Sequence, residues 1–292
     1  MKKILGFLFI LIMFTGMSGE LFSSDLRIMN KIELEVDLSD FVDISGTTLY
    51  CIEYINDEVN LCEISLEAQG RDIKKTTIPF KKYPELFIME LAVKVKDEKV
   101  YLMDYAAKEI VEFDTKTQII KTIEIETEYM EGASNTFYKG YLHVKDQYIY
   151  IVNPFLYSRI DPIQKYDFSG NLLQETDDIN TVISLLSNNN DLYYINYTTL
   201  FKIDEEYLQI EDFYSLDEDE YDYHSSFVFY NNCLVALGEK YITFYNIENQ
   251  KNSKYFISDF KEYEDQEFFL FAGEDVLYLG DREKDTIYIL GF

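Results

Sequence analysis

The chain has 292 residues, 47% of them hydrophobic, and carries 26 Lys and Arg against 54 Asp and Glu, a formal net charge of -28. That length and apolar share support a sizeable core in one large or two small domains and exclude a disordered chain. The charge excludes a general nucleic-acid binder, which needs a basic footprint for phosphates, and disfavours adsorption onto an anionic bilayer. The 26 Tyr and 22 Phe, with no Trp and only 4 Pro, lean toward sheet.

Met1-Lys2-Lys3 precedes a nearly unbroken apolar run, Ile4 to Phe14, and Gly16-Met17-Ser18 supplies small residues after it. A positive start, an apolar run of this length and a small-residue exit predict a secretory signal peptide over residues 1–19. The run is short for a hydrocarbon layer of about 30 Å, so no stable span is expected in the mature protein. With no cysteine directly after the run, a lipid anchor is not expected. Export is predicted, to a periplasm, the cell surface or the medium, with residues 20–30 as a lead segment.

From residue 31 a repeat dominates, and internal similarity is the first thing to settle. A segment of the form apolar, usually Tyr, two residues, then Asp, Glu or Asn starts at Leu49, Val100, Ile149, Leu192, Leu234 and Leu277, at steps of 51, 49, 43, 42 and 43 residues. A second segment follows each, starting at Val59, Ile110, Ile163, Leu200, Ile242 and Ile287. Each pair reads as a hairpin, with further strands expected at Leu91–Val95, Thr181–Leu186 and Phe227–Tyr230 before it and at Thr77–Phe80, Ile119–Glu126, Tyr207–Phe213 and Tyr255–Ile257 after it. Six four-stranded antiparallel units of this length predict an all-β, six-bladed β-propeller over residues 31–292, in which radial closure leaves only short edges. The sixth unit runs out of chain after its third strand, and the alternating stretch Lys31–Val36 is free to complete it. An open solenoid or a sandwich with accidental periodicity fits the unit length less well.

The copy Val100-Tyr101-Leu102-Met103-Asp104, continued by Ile110-Val111-Glu112-Phe113-Asp114, resembles the blade core of the six-bladed group that includes NHL-repeat and TolB-like propellers. The resemblance spans residues 31–292, although the usual glycine and arginine of the middle turns are missing and Gly238 replaces the acid in unit five. It implies the fold; the group holds ligand binders, interaction platforms and a few enzymes, so it selects no function.

Three cysteines are too few for a disulfide-built scaffold. Cys51 and Cys62 flank a turn at Asn56-Asp57 and would stand opposite each other if that turn has two residues. They offer a disulfide or two separate core thiols; Cys62 occupies a slot that is aromatic in three other units, which favours a structural role.

Glu53, Asp104, Asn153, Asn196 and Asp281 end second strands and recur at one propeller face. Each either caps its own hairpin or joins a polar ring able to hold a cation or hydroxylated ligand. On that face the step between the two segments is four to six residues in five units and ten in unit three. The extra residues, 154–162, carry Phe155, Tyr157 and Arg159, candidate contact anchors because aromatics and Arg dominate hot spots. Residues 216–224 carry Asp217, Asp219 and Asp222 with His224 beside them, a cluster that could hold Ca²⁺ but lacks the EF-hand pattern, so a solvated loop is the favoured reading. His143 sits in a strand alternation and is not paired with His224. No nucleophile elbow, phosphate-cradling glycine loop or haem-attachment motif is present. The expectation is therefore an exported, non-catalytic scaffold without a cofactor that binds a protein, peptide or glycan. The alternatives are a divalent-metal lactonase-like hydrolase and a structural envelope component.

Overall fold

Each repeat folds because its strands alternate large side chains to both faces, and a sheet apolar on both faces must be sandwiched between two others. In a computed structural model the first strand, β1 (Arg27–Glu33), is followed by blade one: β2 (Val42–Ser45), β3 (Thr48–Ile55), β4 (Glu58–Ser65) and β5 (Asp72–Ile78). Blade two is β6 (Leu91–Lys96), β7 (Lys99–Asp104), β8 (Glu109–Asp114) and β9 (Ile120–Glu124). Blade three is β10 (Tyr141–Lys145), β11 (Tyr148–Val152), β12 (Ile163–Asp167) and β13 (Leu172–Glu175). Blade four is β14 (Ser184–Asn188), β15 (Asp191–Ile195), β16 (Thr199–Asp204) and β17 (Gln209–Ser215); blade five is β18 (Ser226–Tyr230), β19 (Cys233–Leu237), β20 (Tyr241–Asn246) and β21 (Lys251–Phe256). Blade six holds β22 (Phe268–Ala272), β23 (Leu277–Asp281) and β24 (Thr286–Gly291), and β1 pairs with β24 as its outer strand. The described residues are 26–36, 42–55, 58–78, 91–104, 109–125, 141–152, 163–176, 184–188, 191–196, 198–216, 226–238, 241–256, 268–273 and 275–291. The expected signal peptide, 1–19, lies outside them.

This is the predicted six-bladed propeller of four-stranded antiparallel sheets, closed by the N-terminal strand. The inner strands form a ring in which β2 packs on β6, β6 on β10, β10 on β14, β14 on β18, β18 on β22 and β22 on β2. The closing strand starts at Arg27 rather than Lys31, ahead of the expected start of the propeller. It carries a register irregularity between Ile28 and Asn30; after Glu33 the Leu34 N–H still donates to the Asp285 carbonyl at 2.8 Å, and Leu34 and Val36 pack into the wedge between blades six and one.

The core is a set of six wedges, one between each pair of neighbouring blades. The repeat explains them. The motif tyrosines Tyr50, Tyr101, Tyr150, Tyr193 and Tyr278, with Val235 in unit five, each pack toward the following blade. The slot in the second segment faces the preceding blade: Phe113, Tyr166, Ile203 and Tyr245 fill it, and Cys62 fills it in blade one. The polar residue ending that segment has a local task. Oδ1 of Asp114 accepts the N–H groups of Lys116 and Thr117, Asp167 those of Ser169 and Asn171, and Asp204 those of Glu206 and Tyr207. Asn246 does the same for Glu248 and Asn249. These are Asx-type caps of the third-to-fourth-strand turns.

Candidate functional site

At one end of the inner ring the first-to-second-strand turns of blades one, four, five and six line an open depression of about 620 Å³. Blade one contributes Ile44, Ser45 and Gly46, blade four Ser187 and Asn188, blade five Phe229 to Asn232, and blade six Ala272 and Gly273. The turns are tightly specified. Tyr230 and Cys233 are paired, and the two residues between them, Asn231 and Asn232, both have positive φ, 48° and 60°. That is the conformation a two-residue hairpin loop needs, and asparagine tolerates it better than most residues. Gly46, with φ 58°, meets the same demand between Ser45 and Thr48. The Tyr230 hydroxyl donates to the Asp275 carbonyl at 3.0 Å, tying the blade-five turn to blade six. Although 27% of the chain is charged, none of the eleven described residues that line the cavity is.

The inner strands are chemically unequal. At the register position opposite the motif tyrosine they carry Asp43, Lys94 and His143 in blades one to three, and Leu186, Val228 and Phe271 in blades four to six. Asp43 Oδ2 accepts the Val95 N–H at 2.6 Å and pairs with Lys94 at 3.0 Å, joining blades one and two. His143 is buried, and that burial, with the Lys94, Lys145 and Lys96 charges, holds its imidazole well below its ordinary pKa. Between blades three and four, the Tyr150 hydroxyl donates to Glu205 at 3.0 Å, Lys145 pairs with the same carboxylate, and Lys165 donates to the Glu205 carbonyl at 2.5 Å. Burial first, and then Glu205, pushes the Tyr150 hydroxyl far up. These groups lock neighbouring blades together.

The residues expected at the other face are placed as follows. Asn196 Oδ1 accepts the Thr198 and Thr199 N–H groups at 2.9 and 2.7 Å, which is the capping role. Asp281 is fully buried; its Oδ1 accepts the Lys284 N–H at 3.1 Å, and Lys284 Nζ lies 3.4 Å from Oδ2. Glu53 pairs instead with Lys75 on β5 at 2.5 Å. Asp104 ends β7 opposite Glu109. Asn153, Phe155, Tyr157, Arg159, Asp217, Asp219, Asp222 and His224 lie outside the described residues. Among the described residues no three His, Cys, Asp or Glu side chains are grouped to hold a metal, and no helix is long and apolar enough to cross a membrane.

Among the described residues, none of those singled out from the sequence lines the cavity. Its signal was present as paired asparagines at two neighbouring turns, Ser187-Asn188-Asn189-Asn190 and Tyr230-Asn231-Asn232-Cys233. Such pairs mark hairpin loops, and nothing in the sequence shows that adjacent blades bring them to one opening.

No protein-family model matches the chain, and no curated protein matches it by sequence. Solved structures do. YCF48 bound to D1 peptide aligns with a TM-score of 0.56 at 10% identity, over 92% of this chain and 97% of that one. BamB from Moraxella catarrhalis aligns with a TM-score of 0.52 at 10% identity, over 91% and 100%. At such identity the likeness is one of fold.

Proposed function

We propose that the protein is an exported, non-catalytic recognition scaffold that binds a protein or peptide at the amide- and hydroxyl-rich mouth formed by the turns of blades four, five, six and one. The observation that carries this reading is the chemistry of that mouth. Asn188, Asn231, Asn232, Ser45, Ser187, Gly46, Gly273, Tyr230 and Phe229 form a lining of amides, hydroxyls, glycine backbone and two aromatics. The same set of residue types makes antibody paratopes, where aromatics give area at low entropic cost and amides and hydroxyls adapt their hydrogen bonding. The turns need little ordering on binding, because left-handed backbone and the Tyr230–Asp275 bond already hold them. Among the described residues the lining is polar and uncharged, which suits a partner segment that bonds through amides and hydroxyls. The propeller likeness to YCF48 bound to D1 peptide supports a peptide as the kind of partner.

The test is site-specific photo-crosslinking in the producing cell, with the reactive residue at Asn188 or Asn232 and a rim control at Phe256, which is 60% exposed. A discrete adduct from both mouth positions, absent from the rim and from an Asn231→Lys background, is the expected result. Equal labelling from rim and mouth would sink the reading. An adduct only from a probe at Tyr157 would move the contact to residues 154–162.

A further inference from the structure

In blade one, Cys51 and Cys62 are directly opposed in the antiparallel register of β3 and β4. Opposed residues of an antiparallel pair have Cα atoms about 4.5 or 5.5 Å apart, depending on the pair type. Both values lie inside the roughly 4.4–6.8 Å that a disulfide spans. Opposed residues also project to the same face, and both side chains lie in one core cluster. Next to Cys62 on β5 stands Lys75, whose Nζ is 2.5 Å from Glu53 Oε2, and that oxygen is 4.0 Å from the Cys62 sulfur. A hydrogen bond between the thiols holds Cys62 below its ordinary pKa and Cys51 above it, while the Glu53 charge opposes thiolate at both and the Lys75 charge favours it.

We propose that Cys51 and Cys62 are a modification site: they are oxidised to an intrahairpin disulfide that staples blade one. The inference is independent of the recognition reading. Both sulfurs are fully buried, beneath Phe269 and Phe271 of blade six and beside Ile32 and Val36 of the closing segment. The bond therefore forms before the ring closes. With oxidised glutathione as oxidant, the Cys62 thiolate attacks one sulfur and releases a glutathione thiolate, leaving a mixed disulfide. The Cys51 thiolate then attacks the Cys62 sulfur and expels the second glutathione. The two cysteine protons pass to solvent, and the two electrons leave on the two glutathione thiolates. Once the ring has closed, burial shields the bond from reductants. Cys233, buried in blade five between different neighbours, takes no part.

The full chain, denatured, reduced and refolded in a mixture of reduced and oxidised glutathione, is alkylated with iodoacetamide in guanidinium and weighed. One label, on Cys233, is expected, rising to three when reduction precedes alkylation; Cys233→Ser should take none and then two. Three labels without reduction, a glutathione adduct in place of the bridge, or a bridge that includes Cys233 on peptide mapping overturns the proposal. The wild-type protein gives a second readout that needs no folding-impaired variant. For a closed loop of about twelve residues, the oxidised form should melt roughly 5–10 °C above the reduced form. Equal midpoints would overturn the staple.

Discussion

Gly170 tests whether neighbouring blades are held in register by backbone contact as well as by their apolar wedges. It sits in the blade-three turn between β12 and β13 with φ 87°, and a Cβ built there would lie 1.8 Å from the Glu124 carbonyl oxygen of blade two. Gly170→Ala therefore carries two costs. Left-handed backbone costs a residue with a Cβ about 1–2 kcal/mol, and forcing the two turns apart costs about 1–3 kcal/mol. The obstacle is main chain, so no rotamer change relieves it. The sum, about 2–5 kcal/mol, is a large share of the roughly 5–15 kcal/mol that stabilises a typical domain, and corresponds to about 5–15 °C in midpoint for a protein of this size. Gly46→Ala is the internal control, because φ is 58° there and nothing lies within 4 Å of the added atom; only the backbone cost applies, about 2–5 °C. Thermal unfolding followed by far-ultraviolet circular dichroism reads both. Equal shifts in the two variants would refute the contact argument, and a loss below about 2 °C for Gly170→Ala would refute both costs.

Three further outcomes are expected. His143 is neutral in the folded protein and its folded pKa is depressed, so its contribution is complete above the unfolded value of about 6.5 and is lost as pH falls below it; His143→Gln should flatten the midpoint between pH 7 and pH 5, and curves parallel to wild type would contradict this. Deleting residues 27–33 should replace a single cooperative thermal transition with a broad one, because β24 loses its hydrogen-bonded neighbour; an unchanged sharp transition in calorimetry would show that the ring does not depend on its fastening. Titration with Ca²⁺, Mg²⁺ or Mn²⁺ at fixed ionic strength should leave the midpoint unmoved, and a saturable rise reversed by EDTA would favour the hydrolase alternative.

The blade count and architecture were legible because every second and third strand is buried on both faces and repeats its large residues at fixed places. The outer strands were harder. Asp72–Ile78 is mostly solvent-facing, so its start was expected only at Thr77, and Leu172–Glu175, with no buried residue, left no periodic trace. The closing strand was read from the alternation Ile32, Leu34, Val36. That alternation follows side-chain burial, whereas the paired register runs from Arg27 to Glu33, with Met29 at its irregularity 64% exposed. Cys62 was readable as a core residue through the slot it shares with Phe113, Tyr166 and Tyr245. The mouth was not, since an asparagine pair reports local turn geometry and is silent about which turns meet.

Six copies of one blade around an axis would greet a visitor identically at every sixty-degree step. The inner strands here break that equivalence: the first three blades present an acid, an amine and an imidazole where the last three present leucine, valine and phenylalanine. The rotor thus has a compass heading. The seams between the first blades are therefore joined through ionisable groups and those between the last through apolar ones, so a repeating architecture acquires the directionality of an asymmetric one without altering its backbone.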